Sequence, residues 1–140
     1  MTKTKIFLDW ADFQSSMNDL VLCVQHSQIP YDVIYGIPRG GLIPSVYLSH
    51  HLNIPLTLHL DYNIINEKVV LICDDIVDTG GTIEKFYRSF DIASVCYKPS
   101  SKFRPTYYGK EIQQDEWVVF PYETNTSSKY DGTVDYGALE

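Results

Sequence analysis

The chain has 140 residues, of which 44% are apolar and 21% are charged, a balance typical of one folded domain. Its formal net charge is −7, and its 11 lysines and arginines form no basic run, which disfavours binding to a nucleic-acid backbone. No apolar run approaches the ~18 residues of a membrane span, so we expect neither nucleic acid nor membrane as a partner.

The first half of the chain predicts a strand followed by a helix, twice in succession. Residues 5–8 are a candidate strand, and Asp9 is a candidate N-cap for a helix that runs to about Gln25. Residues 32–37 form a mostly apolar run, as in a strand that is covered on both faces. A Pro-Arg-Gly-Gly loop at 38–41 then leads into a helix over 42–52.

The second half begins with predicted strands at 55–60 and 68–73, joined by a turn at 62–66. A loop at 74–81 precedes apolar residues at 83, 86, 87 and 90, whose spacing predicts another helix. Residues 94–97 and 116–120 are further candidate strands. Residues 124–140 are polar and lack periodicity, so we predict a domain over 1–123 and a polar tail over 124–140.

This alternation of strands and helices predicts a single α/β domain with a mainly parallel sheet flanked by helices. Right-handed crossovers would place the loops at 38–41 and 74–81 at the carboxyl ends of their strands. Ligands bind at that edge in open α/β sheets, so we expect the functional site there.

The most informative segment is VVLICDDIVDTGGT, residues 69–82, in which an apolar strand leads to two adjacent carboxylates and a glycine-rich loop. Loop amides, hydroxyls and a helix N-terminus can hold a phosphate, and the paired carboxylates suit Mg²⁺ or a sugar diol. A helix-capping loop with solvated acids is the structural alternative. The combination of acids and glycines after an apolar strand favours the phosphate site.

The DDIVDTGGT run resembles the signature of type I phosphoribosyltransferases, which bind phosphoribosyl pyrophosphate. YGIPRGGLIPS (35–45), YKPSS (97–101) and EWVVFPYE (116–123) resemble the xanthine-guanine and hypoxanthine branch of that family, in the family's order. The resemblance covers most of residues 5–123. It implies the type I phosphoribosyltransferase fold, with a small hood built from the N- and C-terminal segments.

The resemblance also implies roles for the residues that would hold the phosphoribosyl group. Asp74 and Asp75 would contact the ribose hydroxyls and the Mg²⁺ shell, and Arg39 and Gly40 would hold the pyrophosphate in a loop where the family has a strained peptide bond. Asp78 would take the proton from purine N7 as the base attacks C1 of the ribose. The 5′-phosphate would be held by Thr79, Gly80, Gly81 and Thr82.

The resemblance implies that four further residues would contact the acceptor base, and that Lys98 and Trp117 would choose it. Lys98 would donate to O6 of guanine, hypoxanthine or xanthine and would reject the amino group of adenine. Trp117 would stack on the base, with Val77 on its opposite face, and the backbone carbonyl of Val118 would face its 2-substituent. The structural alternatives are a solvated surface lysine at 98 and a core ring at 117.

The cysteines and the family resemblance predict the cellular location and the oligomeric state of the protein. Cys23, Cys73 and Cys96 have apolar neighbours and are odd in number, so they are interpreted as buried reduced thiols in a cytoplasmic protein. Family resemblance suggests a homo-oligomer, at least a dimer.

One segment departs from the family pattern. Family members usually carry a long flexible loop between the second and third core strands, whereas here only residues 61–67 are available. Two hypotheses follow: a small purine phosphoribosyltransferase, or a non-catalytic nucleotide-binding or regulatory protein on the same fold. A third and weaker hypothesis, an acid-cluster phosphatase, is disfavoured by the TGGT loop.

Overall fold

The computed structural model describes residues 4–124. In chain order the elements are β1 (Thr4–Phe7), α1 (Trp10–Ser27), β2 (Val33–Gly36), α2 (Leu42–Leu52), β3 (Leu56–Thr57), α3 (Tyr62–Glu67), β4 (Val70–Val77), β5 (Asp91–Tyr97), β6 (Tyr107–Glu111) and β7 (Glu116–Val119). Within these residues no helix combines the length and the apolar character that crossing a membrane requires.

Five strands form a sheet in the order β3-β2-β4-β5-β6, and every neighbouring pair in it is parallel. Strands β1 and β7 form a separate parallel pair, which we call the hood. Because the chain leaves β2 toward one edge of the sheet and β4 toward the other, the order reverses between β2 and β4. This topology confirms the predicted fold class, and a crevice opens at the carboxyl ends of strands at such a point.

The two faces of the sheet bury different side chains because neighbouring residues of a strand point to opposite sides. Ile34, Leu71 and Cys73 pack with the apolar face of α1 in one cluster. Val33, Val70 and Ile72 pack on the other face against residues of the 83–90 segment. Helices on one side and an irregular segment on the other therefore cover a sheet whose central strands are buried.

Helix α1 begins as the sequence predicts. The Asp9 carboxylate accepts a hydrogen bond from the backbone N–H of Asp12, and the Asp12 carboxylate accepts one from the N–H of Asp9. This reciprocal capping box satisfies two amides that the first helical turn leaves unpaired. Cys73 and Cys96 are buried as expected, but Cys23 is exposed, because it lies on the solvent side of α1.

Two boundaries in the middle of the chain differ from prediction. Strand β4 continues through Asp74 and Asp75 to Val77, because β5 supplies backbone partners as far as Tyr97. The segment that follows is a series of hydrogen-bonded turns rather than the predicted helix. Its bonds alternate between three-residue and four-residue spacing, as at Phe86 and Tyr87, which both donate to the carbonyl of Ile83. The segment is rich in aromatic residues, whose helix propensity is low, and their packing determines its path.

Three smaller elements were also predicted differently or missed. The strand predicted over 55–60 is only two residues long, and the predicted turn at 62–66 is the short helix α3, which Asp61 caps by accepting from the N–H of Ile64. Strand β6 was missed because its sequence, YYGKE, carries charges and a glycine. Gly109 is required there, since a Cβ atom at that position would lie 2.3 Å from the carbonyl oxygen of Ser16 in α1.

Candidate active site

A cleft of about 500 Å³ lies at the carboxyl ends of β2 and β4, between the main sheet and the hood. Nine of the predicted site residues line it: Arg39, Gly40, Asp74, Asp75, Asp78, Thr82, Lys98, Trp117 and Val118. These residues come from four distant parts of the chain, so their convergence is a property of the fold.

The loop at 38–41 forms one wall of the cleft. Its Pro38–Arg39 peptide bond is cis, and the N–H of Gly41 donates to the carbonyl of Ile37 at 2.8 Å. Gly40 lies so close to Asp75 that a Cβ atom on it would be 2.1 Å from a carboxylate oxygen of Asp75. A side chain at position 40 would therefore displace the Asp75 carboxylate, and glycine lets the loop pack against β4 without that displacement.

The paired carboxylates Asp74 and Asp75, in the second half of β4, are shielded from water. Burial, reinforced by the charge of Asp75, raises the pKa of Asp74 well above its usual range, and burial also raises the pKa of Asp75. Oxygens of these residues accept hydrogen bonds from the backbone N–H groups of Asp75 and Ile76. A cation beside this pair would relieve the cost of holding two charges in a buried place.

The donor set fits Mg²⁺, which proteins often bind through one or two carboxylates with the remaining positions filled by water and substrate phosphates. In residues 4–124 there is no group of three or more His, Cys, Asp or Glu side chains that would form a complete protein cage for a metal. Asp74 and Asp75 would therefore share the ion with a phosphorylated ligand.

Lys98 and Asp78 form an ion pair inside the cleft. The Lys98 ammonium lies 3.1 Å from a carboxylate oxygen of Asp78 and donates to the backbone carbonyl of Gln114 at 3.2 Å. Only 1% of Lys98 is exposed, which excludes the alternative of a solvated surface lysine. A buried ammonium needs such partners. Lys98 and Asp78 both line the cleft.

The hood supplies the opposite wall. Trp117 and Val118 belong to β7, are paired with Lys5 and Ile6 of β1, and line the cleft. Val77 does not lie opposite Trp117 as expected. It is 2% exposed and packs in the cluster on the far face of the sheet, while its neighbour Ile76 lines the cleft, because successive strand residues point to opposite sides.

The glycine-rich loop lies beside the cleft but is only partly in its wall. Asp78 and Thr82 line the cleft, whereas Thr79, Gly80 and Gly81, which lie between them in the chain, do not. Gly80 has a φ of 93°, and the N–H of Gly81 donates to the Thr79 hydroxyl at 3.2 Å. The loop conformation therefore depends on a glycine at position 80.

Several lining residues were not singled out from the sequence, namely Leu42, Ile43, Ile76, Glu116, Phe120, Tyr122 and Glu123. The FPYE segment was noted only as part of a longer motif, and its position after β7 was the available signal. Burial raises the pKa of Glu123, and the charge of Arg39 opposes that rise. The hydroxyl of Tyr122 donates to the backbone carbonyl of Gly40 at 3.2 Å. The segment after β7 thus lies within reach of the 38–41 loop.

A cleft with these groups can hold a phosphorylated sugar with Mg²⁺ at one end and a planar, hydrogen-bonding base at the other. Comparisons with known proteins identify the family of the chain. The model of the phosphoribosyl transferase domain matches residues 59–128, half of the chain.

Two curated relatives and one solved structure are informative. The xanthine-guanine phosphoribosyltransferase of Nitratidesulfovibrio vulgaris (strain DP4) is 30% identical over an alignment of 115 residues, gaps included, that spans 68% of this chain and 71% of the relative. The enzyme of that name from Vibrio atlanticus (strain LGP32) is 27% identical over 148 residues, covering 88% and 92%. The crystal structure of purine phosphoribosyltransferase from Pyrococcus horikoshii Ot3 has a TM-score of 0.73 and 30% identity, covering 90% of this chain and 99% of that chain.

The Vibrio alignment is longer than this chain of 140 residues, so that relative contains residues that have no counterpart here. The matching domain, the parallel sheet with its hood, and the cleft between them show that the chain belongs to the phosphoribosyltransferase family.

Proposed function

We propose that the protein transfers the phosphoribosyl group of phosphoribosyl pyrophosphate to a 6-oxopurine, giving a nucleoside 5′-monophosphate and pyrophosphate. The observation that carries the proposal is the Lys98–Asp78 pair, whose charged atoms lie 3.1 Å apart in the wall of the cleft. The names of the relatives, which are purine or xanthine-guanine phosphoribosyltransferases, support the same class of acceptor.

The pair matches the edge of a 6-oxopurine, on which O6 and N7 are neighbours. An ammonium can only donate, so Lys98 suits O6 and opposes the 6-amino group of adenine. A carboxylate can accept, so Asp78 takes the proton from N7 while N9 forms its bond to C1 of the ribose. Trp117, from the hood, supplies an aromatic surface for stacking on the base.

The other end of the cleft would hold the phosphoribosyl pyrophosphate. Asp74 and Asp75 would bind the ribose hydroxyls and Mg²⁺, and Arg39 would bind the pyrophosphate. The loop of Thr79, Gly80, Gly81 and Thr82 would hold the 5′-phosphate, although Thr82 is the member of that loop which lines the cleft. Bound Mg²⁺ would supply charge neutralisation of the leaving pyrophosphate.

The reaction is balanced by these groups alone. The bond between C1 and the pyrophosphate oxygen breaks, the electron pair leaves with the pyrophosphate, and the bond between C1 and N9 forms. The proton released from the base passes to Asp78. Arg39 stabilises the charge that develops on the leaving group, an effect that is strongest where water is excluded.

A second candidate is a non-catalytic nucleotide-binding or regulatory protein on the same fold. The six-residue helix α3 favours it, because that helix and its short flanks occupy the place of the long loop that closes over the reacting centre in family members. Retention of the Asp78–Lys98 pair supports the enzyme, because a phosphate-binding protein needs no proton acceptor beside a buried ammonium. As an enzyme, the protein would be cytoplasmic and would form a homo-oligomer, at least a dimer.

The test is a panel of acceptor bases given to the protein with phosphoribosyl pyrophosphate and Mg²⁺, scored for nucleoside monophosphate. We expect product with guanine, hypoxanthine or xanthine and little with adenine or uracil. Lys98→Met should reduce kcat/KM for the 6-oxopurine by about 10- to 100-fold, the range for one hydrogen bond to a charged group.

Lys110→Met is the matched control, because Lys110 is an exposed residue of β6 that does not line the cleft. It should leave turnover unchanged. A clear preference of the wild type for adenine would show that Lys98 does not face the base and would overturn the proposal.

A further inference from the structure

The segment that follows β7 crosses from the hood to the 38–41 loop. Phe120, Tyr122 and Glu123 all line the cleft, and the hydroxyl of Tyr122 donates to the backbone carbonyl of Gly40 at 3.2 Å. This bond joins residues 82 positions apart in the chain. It is a direct link between the wall that would hold the base and the wall that would hold the pyrophosphate.

The ring of Tyr122 is fixed by other aromatic rings. It stacks on Phe120 with the ring centroids 5.6 Å apart and the planes inclined by 19°, and it meets Phe13 edge-on at 5.6 Å. Trp10 lies against it at 6.3 Å. Because α1 and the hood segment together hold the ring, the position of its hydroxyl is set before any ligand binds.

The hydroxyl stays a donor over the whole working range of pH. Burial, together with the charges of Asp75 and Glu123, raises the pKa of Tyr122. A neutral phenol donates one hydrogen bond, and the carbonyl of Gly40 accepts it.

The carbonyl of Gly40 belongs to the peptide unit that joins Gly40 to Gly41. A bond to that oxygen restricts the rotation of the peptide plane, while the N–H of the same unit is bonded to the carbonyl of Ile37. The peptide unit is therefore held at both of its polar atoms. Arg39, the residue before Gly40, belongs to the same short loop and lines the cleft.

We propose that Tyr122 is a positioning residue for the pyrophosphate end of the site, acting through the 38–41 loop. The inference rests on the proposed function, since it assigns pyrophosphate to that loop. Tyr122 touches neither the reacting atoms nor the base in this account. Its effect should therefore appear in the binding of pyrophosphate groups and be absent from the binding of a nucleoside monophosphate.

The test is Tyr122→Phe, which removes one oxygen and keeps the ring. Calorimetric titration with Mg²⁺ present would compare phosphoribosyl pyrophosphate, pyrophosphate and guanosine 5′-monophosphate. We expect the first two to bind about three- to tenfold more weakly, as for the loss of one neutral hydrogen bond, and the monophosphate to bind within about twofold of wild type. The thermal midpoint should stay close to that of wild type.

Tyr108→Phe is the matched control. The hydroxyl of Tyr108 donates to the Glu111 carboxylate and accepts a hydrogen bond from Arg104. None of these three residues lines the cleft, so all three affinities should be unchanged. Equal affinities for all three ligands in Tyr122→Phe and wild type would overturn this inference alone. An equal loss for all three ligands would also overturn it, because it would show a general structural role. A wild type that binds neither phosphoribosyl pyrophosphate nor pyrophosphate would contradict the proposed function itself, and this inference with it.

Discussion

At the scale of single residues, the two adjacent glycines of the 79–82 loop have different structural roles. Gly80 has a φ of 93°, and a Cβ atom there would lie 2.9 Å from the hydroxyl oxygen of Ser101. Gly81 has no positive φ, and a Cβ atom on it would meet only the Thr79 hydroxyl, at 3.5 Å. Position 80 therefore requires glycine for the fold, whereas position 81 does not.

We predict that Gly80→Ala lowers the free energy of unfolding by about 1–2 kcal/mol, the usual penalty for a side chain in a left-handed conformation. Gly81→Ala should change it by less than about 0.5 kcal/mol. Chemical denaturation of the two variants beside wild type is the measurement. Equal stability of Gly80→Ala and Gly81→Ala would show that the loop does not need the conformation seen at Gly80.

The burial of Lys98 could be predicted only from the motif in which it lies. Taken alone, a lysine at that position is ordinarily a solvated surface residue, and only its place in a family-like motif indicated otherwise. In the structure Lys98 is buried and forms an ion pair with Asp78. Asp78 is the residue that, by the resemblance, would take the proton from purine N7. Val77 was expected to face the base but lies on the other side of the sheet. The side of a strand on which a residue lies depends on register, which the motif does not specify.

At the scale of elements, the end of β4 places two acids where water is largely excluded. A carboxyl whose pKa is higher in the folded than in the unfolded chain holds its proton more tightly when folded. Its contribution to stability is therefore greatest at low pH and is lost as pH rises from the unfolded-state pKa, about 3.9, through the folded-state pKa. For Asp74 that raised pKa is caused first by burial and then by Asp75.

We predict that Asp74→Asn is more stable than wild type at pH 8 in the absence of Mg²⁺, and that the difference shrinks toward pH 4. The amide resembles the protonated carboxyl, which carries no charge to bury, and a tenfold change in proton affinity between the unfolded and folded chain is worth about 1.4 kcal/mol. Thermal midpoints across that range would measure it. Asp19→Asn, which removes a carboxylate at an exposed position of α1, is the matched control. A wild type more stable than Asp74→Asn at pH 8 would contradict the assignment of the cost to these acids.

The elements also show what sequence patterns can and cannot predict. Helix α2 was predicted with its observed bounds, because its apolar run is bracketed by a glycine-rich loop and an Asn-Ile-Pro stop. The 83–90 segment has the spacing of a helix but not its hydrogen bonds, since aromatic packing against the sheet decides its path. Strand β6 lies at an edge and is not strongly apolar, so its pairing with β5 could be seen only in the fold.

At the scale of the whole molecule, the site is a product of two sheets. The main sheet supplies Asp74 and Asp75 and is followed by Asp78, whereas the hood supplies Trp117 and is followed by the segment that contains Tyr122. In the proposed function, an acidic chain with a net charge of −7 would hold a polyanionic ligand by local means, through backbone amides, Arg39 and a metal ion. Because the connection through α3 is short, nucleotide binding would not by itself establish turnover, and each needs its own measurement.

The most direct test of the central claim is the rate of monophosphate formation by wild type and by Asp78→Asn, measured beside the affinity of each for guanosine 5′-monophosphate. We predict that wild type forms the monophosphate from a 6-oxopurine, and that Asp78→Asn is slower by about 10²–10⁴-fold while nucleotide affinity changes little, because a general base acts in the transition state. Wild type that binds the nucleotide but forms no monophosphate from any purine would contradict the account and favour a regulatory protein. Equal rates for the two proteins would contradict the role of Asp78.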